Sequence, residues 1–431
     1  MSEESSTKSL SSAVDSQDPK PDSPRWLHVI LPAVGLAGWM IFILACVGGP
    51  SWSPDGSKIL FAYLDVEKSQ SVIAVYDRAT HTVKPIFARF VPNGKDDDVP
   101  LAPTWQKDGK RALIALSGDN DTCSLVSISV SSTSPVEAYS VGPKLVCWDS
   151  SFLPQLDERM YFGGDDLQWI NLATGETGHK SIEGGPGFIS EHNGHLVYMR
   201  GASRAAPNPE NKDATESGFE FGSVDIKELT LKPNFTLWKS DLGDMKLDDF
   251  FPTASWEPGG SRIVIAGPGM DGDKILFLDE SKGLVKILAP ELGVKDVRLG
   301  KFVWSRDGKT LYAAAASMAT QEKMLDYWLA EIPIAGTPGR LTKIAIVQGE
   351  LDHDTMPLIL SLSLRVSLSP DGRFIAATPA SLGKDDLAER DRALFLIDVQ
   401  HPEHHITRIP IPGQRVPTPV ATTPAAAKTV K

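Results

Sequence analysis

Cysteine is scarce: the 431-residue chain contains three, too few for the disulfide frameworks that hold small secreted folds together. Cys123 and Cys147 could pair only in an oxidising compartment, and a pair of buried thiols is the plainer reading. Basic residues are also in short supply. Lys and Arg number 43 against 55 Asp and Glu, giving a formal net charge of −12 and arguing against nucleic acid as the main partner. Compact catalytic signatures are missing too. No Gly-x-Ser-x-Gly elbow occurs. The nearest segment, Gly201-Ala202-Ser203-Arg204-Ala205, sits in polar sequence without the strand–helix context that such an elbow needs. There is no HExxH, P-loop or paired CxxC. Glycine and proline are plentiful, at 36 and 32, and follow no collagen period, which suits a chain of many tight turns. With 41% hydrophobic residues a sizeable core can be buried.

One long apolar run stands near the amino terminus. Leu27 to Val47 reads LHVILPAVGLAGWMIFILACV, apolar apart from His28, and matches the ~20 residues that cross a bilayer. Trp26 is placed as an interfacial anchor. A cleaved secretory signal has a shorter apolar core behind a basic start, whereas residues 1–25 are Ser-rich and mildly acidic. A lipoprotein signal ending at Cys46 would put Leu44 where a small residue belongs. The expectation is therefore a single membrane-spanning helix over 26–47, with the bulk of the chain extracytoplasmic (periplasmic in a bacterium). Residues 1–25 and the Pro/Ala/Thr-rich segment 414–431 are expected to be disordered tails.

Between them the chain repeats itself. SWSPDGSKILFAY from Ser51, TWQKDGKRALIAL from Thr104, SWEPGGSRIVIAG from Ser255, VWSRDGKTLYAAA from Val303 and SLSPDGRFIAATP from Ser367 align without gaps. Each places a large apolar residue (Trp52, Trp105, Trp256, Trp304 or Leu368) before a turn. The turns carry Asp55-Gly56, Asp108-Gly109, Asp307-Gly308 and Asp371-Gly372, with Gly-Gly in the third copy. Asp-Gly supplies the positive φ of a tight hairpin, and the run after it reads as a half-buried strand. The wide gap between Trp105 and Trp256 leaves room for two degenerate copies, opening at Phe152 (FLPQLDERMYF) and Ile189 (ISEHNGHLVYM). A second hairpin follows in each unit, as in SVIAVYDRATHTVKPI or DKILFLDESKGLVKIL. Four short strands per ~50 residues is the signature of a propeller blade, and seven copies predict an all-β, seven-bladed propeller over residues 48–413. The four tryptophans recur at blade spacing and read as core.

The Trp-Ser-Pro-Asp-Gly turns resemble the PD-type, WD-like propeller repeat found in TolB, and similar blades occur in tricorn and prolyl-oligopeptidase-type peptidases. The resemblance covers Gly48 to Gly413 and implies fold more than function, because its motif residues build turns and core. Seven units depart from the six blades typical of TolB, whose separate amino-terminal domain has no counterpart here, so the TolB role does not transfer.

The candidate site is a charge pattern. The second-to-third and blade-to-blade connections hold a large excess of acids over bases, while the rest of the chain is nearly balanced. Asp96, Asp97, Asp98, Asp165, Asp166, Asp248, Asp249, Asp352, Asp354, Asp385 and Asp386 mark an acidic face suited to a protein or polymer partner, including a basic one. Asp271 and Asp273 are weak candidates to ligate calcium through carboxylate oxygens. The alternative is a glycan-active enzyme pairing Asp165 with Asp249 or Asp352 in the channel. The run His401-Pro-Glu403-His404-His405 reads as a solvated turn between the last two strands, with adjacent histidines pointing to opposite faces.

Overall fold

The computed structural model describes residues 49–411, apart from 66–67, 69, 91–99, 119–121, 132–134, 144–153, 164–165, 206–214, 243–253, 270–271, 295–296, 319–323, 337, 349–363, 380–392 and 402. The strands form seven four-stranded antiparallel sheets, each from strands consecutive in sequence. These blades span 51–90, 100–143, 155–181, 188–238, 255–288, 298–348 and 364–410. First strands of blades 5, 6, 7, 1 and 2 touch one another in turn, which places first strands innermost, around the axis of a seven-bladed propeller. Among the described residues no helix is long and apolar enough to cross a membrane. Segment 26–47 and both tails lie outside the described residues.

Burial explains why the middle strands are so apolar. In the first blade Ile59 to Tyr63 and Ser71 to Tyr76 are buried at every position. The sequence reading of half-buried strands is corrected here: each blade is covered on both sides by its neighbours, so alternation gives way to continuous apolar runs. The core is divided among the seams. Ile59, Phe61 and Tyr76 of blade 1 pack on Ala376, Leu394 and Ile409 of blade 7. Val264 and Phe277 of blade 5 pack on Phe302, Trp304 and Leu311 of blade 6. Alternation survives on the outermost strand, as in Thr177–Ser181, whose residues are exposed or only partly buried.

The repeat turns behave as their composition demands. Gly56, Gly109, Gly308 and Gly372 take φ of 68°, 67°, 67° and 74°, the left-handed region open to glycine. In the Gly-Gly copy the left-handed residue moves one place earlier, to Gly259 at 68°, behind Pro258 in the pattern of a type II turn. A Cβ at Gly260 would then stand 2.2 Å from Glu257 Oε2, because the Glu257 carboxylate folds over the turn to Arg262, 2.6 Å from its Nε.

The degenerate copies are blades 3 and 4. Blade 4 turns on Asn193-Gly194, with φ of 50° and 77°, the Asn-Gly hairpin its sequence announces. In blade 3 the first strand is Gln155–Leu156; Phe152 lies outside the described residues. Trp52, Trp105 and Trp304 are buried, whereas Trp256 and Leu368 are only partly buried.

Candidate binding face

Antiparallel pairing sends alternate connections to opposite ends of every blade, giving the propeller two unlike faces. The first-to-second and third-to-fourth connections are tight turns; they make up the turn face. On the loop face, the strands ending at Phe90, Ala205, Gln348 and Pro379 resume at Pro100, Thr215, Leu364 and Ala393. Long connections therefore gather on one face of the ring.

The repeat aspartates on the turn face are absorbed by the backbone. Asp55 Oδ1 accepts from Ser53 Oγ at 2.6 Å and from the Ser57 amide at 3.0 Å, while Ser53 Oγ accepts from the Lys58 amide at 2.9 Å. Ser305 with Asp307 and Ser369 with Asp371 repeat the arrangement, and Asp108 keeps its own half by accepting from the Lys110 amide. The Ser hydroxyl, the amide and the hydroxyl of Ser57 draw the Asp55 carboxyl down to about 2. A second set closes the third strands: Asp77, Asn171, Asp225, Asp279 and Asp398 accept from amides two residues on. Asp225 is drawn to about 2, first by Lys232, and Asp279 to about 2, first by the Ser281 hydroxyl.

Four described acids at the loop-face ends of the strands carry partner bases. Asp65 pairs with Lys68 at 2.8 Å, Glu216 with Arg204 at 2.8 Å, Asp273 with Arg298 at 2.9 Å and Asp326 with Lys343 at 2.7 Å. Glu216 also caps the turn after blade 4 through the Ser240 amide, 2.7 Å away, and Arg204 stacks over Trp238 at 4.2 Å. Blade 4 carries the longest such hairpin, His195–Ala205 against Thr215–Asp225, 11 residues on each side.

Of the residues singled out by charge, the structure describes two. Asp166 opens the third strand of blade 3, opposite Ser181. Asp273 is nearly buried; Oδ1 meets Arg298 and Oδ2 takes the Leu299 amide of the next blade. Burial raises its carboxyl above the ordinary range despite those bonds. Asp273 is thus a strut between blades 5 and 6, and a calcium ion there would have to displace a guanidinium. Among the described residues no group of three His, Cys, Asp or Glu stands ready for a metal. Asp96, Asp97, Asp98, Asp165, Asp248, Asp249, Asp271, Asp352, Asp354, Asp385 and Asp386 lie outside the described residues.

The histidine run departs from the sequence reading. His401, Glu403 and His405 are exposed, but His404 is buried. Its φ of 46° turns the ring inward, where Nδ1 lies 2.8 Å from Thr342 Oγ1 and Nε2 meets the Arg340 guanidinium of blade 6. The sequence reading missed these turn serines and His404; Ser-x-Asp-Gly spacing was the available signal for the serines, while nothing local marks His404.

No protein-family model matches the chain, and no curated protein matches it. Solved propellers do resemble it in shape. TolB from Acinetobacter baumannii aligns at a TM-score of 0.39 and 12% identity, over 66% of this chain and 65% of that one. The C-terminal WD40 domain of Sif2 aligns at 0.42 and 11%, over 76% and 91%. Dihydro-heme d1 dehydrogenase NirN aligns at 0.41 and 15%, over 84% and 66%. At TM-scores this low the seven-bladed assignment rests on the chain's own strand pairing.

Proposed function

We propose that the protein is a membrane-tethered binding scaffold that recognises a protein or polymer through the loop face of its propeller. The unlike construction of the two faces carries this reading. One face is committed to capped turns, and the other concentrates the long connections. The sequence concentrates net negative charge on that face, in connections such as those around Asp96-Asp97-Asp98 and Asp385-Asp386. A cationic partner would be drawn there, with an attraction screened over roughly 8 Å at physiological salt. We read the run from Leu27 to Val47 as the tether, with the propeller outside the cytoplasm.

Binding of poly-L-lysine, followed by fluorescence anisotropy across a salt series, tests the charge. Asn at positions 96, 97, 98, 385 and 386 should weaken binding and flatten its salt dependence. Gln at the exposed turn-face residues Glu158 and Glu228 should change neither. Equal weakening by both sets would reduce the charge pattern to a solubility feature.

A further inference from the structure

The seam between blades 6 and 7 holds a histidine in surroundings that fix its protonation. The His404 side chain is fully buried. Its Nε2 faces the guanidinium of Arg340, which has only N–H groups to offer, so Nε2 must be an acceptor without a proton. The proton of the neutral ring then sits on Nδ1 and is donated to Thr342 Oγ1, 2.8 Å away. Both partners belong to the fourth strand of blade 6, Arg340–Gln348, whereas His404 immediately precedes the fourth strand of blade 7, His405–Pro410.

Other charges face the ring. Glu331 Oε2, on the third strand of blade 6, lies 3.3 Å from Nε2 and would favour an imidazolium. That same oxygen already receives Arg340 Nε at 2.9 Å and Nη2 at 2.6 Å, so its charge is spent. Asp398, at the end of the third strand of blade 7, is likewise held by Arg373 at 2.8 Å. On the same turn His401, Glu403 and His405 point to solvent, and the His404 amide donates to the His401 carbonyl at 2.9 Å. Tyr312, on the second strand of blade 6, stands in the fields of Glu331 and Arg340 with its hydroxyl held up to about 12 by burial, so it stays neutral. The ring is buried with its Nε2 against a guanidinium that Glu331 holds in place, and burial followed by Arg340 pushes the His404 pKa down.

We propose that His404 is a proton-operated latch: neutral, it ties the last turn of blade 7 to blade 6; protonated, it repels Arg340 and frees that turn. The sign follows from linkage. The unfolded chain takes up a proton near pH 6.5 and the folded chain only at lower pH, so the latch holds fully above ~6.5 and weakens as pH falls through the window below it.

The test uses the full-length chain in mild detergent, with hydrogen exchange read at residues 405–409 and, as a reference, at residues 167–170 of blade 3. Between pH 7.5 and 5.5, after correction for intrinsic exchange, local opening at 405–409 should rise towards tenfold per pH unit below ~6.5, with the reference unchanged. His404→Asn, which tolerates the left-handed backbone, should remove the pH dependence; Arg340→Met, which takes away the charge that disfavours the imidazolium, should raise the His404 midpoint and so shrink the pH dependence. If His404→Asn fails to fold, the wild-type imidazole is titrated by NMR, assigned against His401→Gln and His405→Gln. A midpoint below 6.5 supports the latch. A midpoint at or above 6.5, or identical pH profiles in wild type and His404→Asn, would overturn it.

Discussion

The indole Nε1 of Trp52 in the first blade donates to the carbonyl of Ser367 in the seventh, 3.1 Å away across 315 residues of sequence. Trp105 does the same to Ser51 at 2.8 Å and Trp304 to Ser255 at 3.0 Å. In each case the acceptor immediately precedes the anchor residue of the previous blade, so the joint that links neighbours also closes the ring. Among the described strands none is exchanged to close it. Arg78 reinforces the closure, lying 4.3 Å over the Phe374 ring of blade 7 while donating to the Gly56 carbonyl at 2.9 Å.

Trp304→Ala should therefore cost about 3–5 kcal/mol by leaving a cavity between blades 5 and 6. Trp304→Phe retains most of the buried area but orphans the Ser255 carbonyl, at about 1 kcal/mol. Guanidinium unfolding of both variants beside Trp26→Ala, which the proposed tether sets apart from the blades and which should have no effect, gives the comparison. Equal effects at positions 26 and 304 would contradict the assignment of the tryptophans.

Left-handed glycines separate backbone strain from crowding. Gly336, at φ 86°, has nothing within 4 Å of the place a Cβ would take, whereas at Gly308, at 67°, a Cβ would lie 2.6 Å from Glu257 Oε1. Gly336→Ala should cost about 1–2 kcal/mol and Gly308→Ala distinctly more, since Glu257 must leave Arg262 to make room. Thermal melts of the two variants check the order.

Acid should destabilise the turn face. Asp55, Asp225 and Asp279 are each held at about 2 in the folded chain against ~3.9 unfolded. Depressed carboxyls contribute stability above pH ~3.9 that is lost as pH falls towards about 2. Circular dichroism from pH 5 to 2 should show cooperative loss in that window, starting from lower stability and with a shallower pH slope in Asp279→Asn. An unchanged slope would mean that the cap contributes nothing.

The seven blades were legible because the repeat is written in turn chemistry: Asp-Gly fixes a backbone shape whatever surrounds it, and its spacing counts the blades. Even a copy without tryptophan kept that signal, as Asn193-Gly194 does. What escaped was tertiary. His404 reads as one more polar turn residue, and only the approach of blade 6 buries it. Trp256 looks identical to Trp304 in sequence yet is only partly buried, because blade 4 meets it with His192, its ring 6.4 Å away, instead of a continuous apolar wall. Asp273 reads as part of an acidic loop until Arg298 is seen against it. The loop-face charge is legible as composition alone, because no local rule fixes where long connections go.

Removing residues 1–47 should leave propeller stability unchanged, since the blades are built from strands that begin at Ser51. The truncated chain should be soluble and unfold cooperatively, while the full chain should sediment with membranes until detergent is added. An unfolded truncation, or a full chain that stays soluble without detergent, would contradict the tether.

Lysine cross-linking in the native membrane, with mass-spectrometric identification of the linked sites, tests the binding face most directly. Lys95, Lys212 and Lys384 lie in connections that join strands at the loop face, whereas Lys110, Lys227, Lys282 and Lys309 lie on the turn face. Links to partner molecules concentrated at the first three are the result expected of a loop-face scaffold. Partner links concentrated at the turn-face lysines would contradict it.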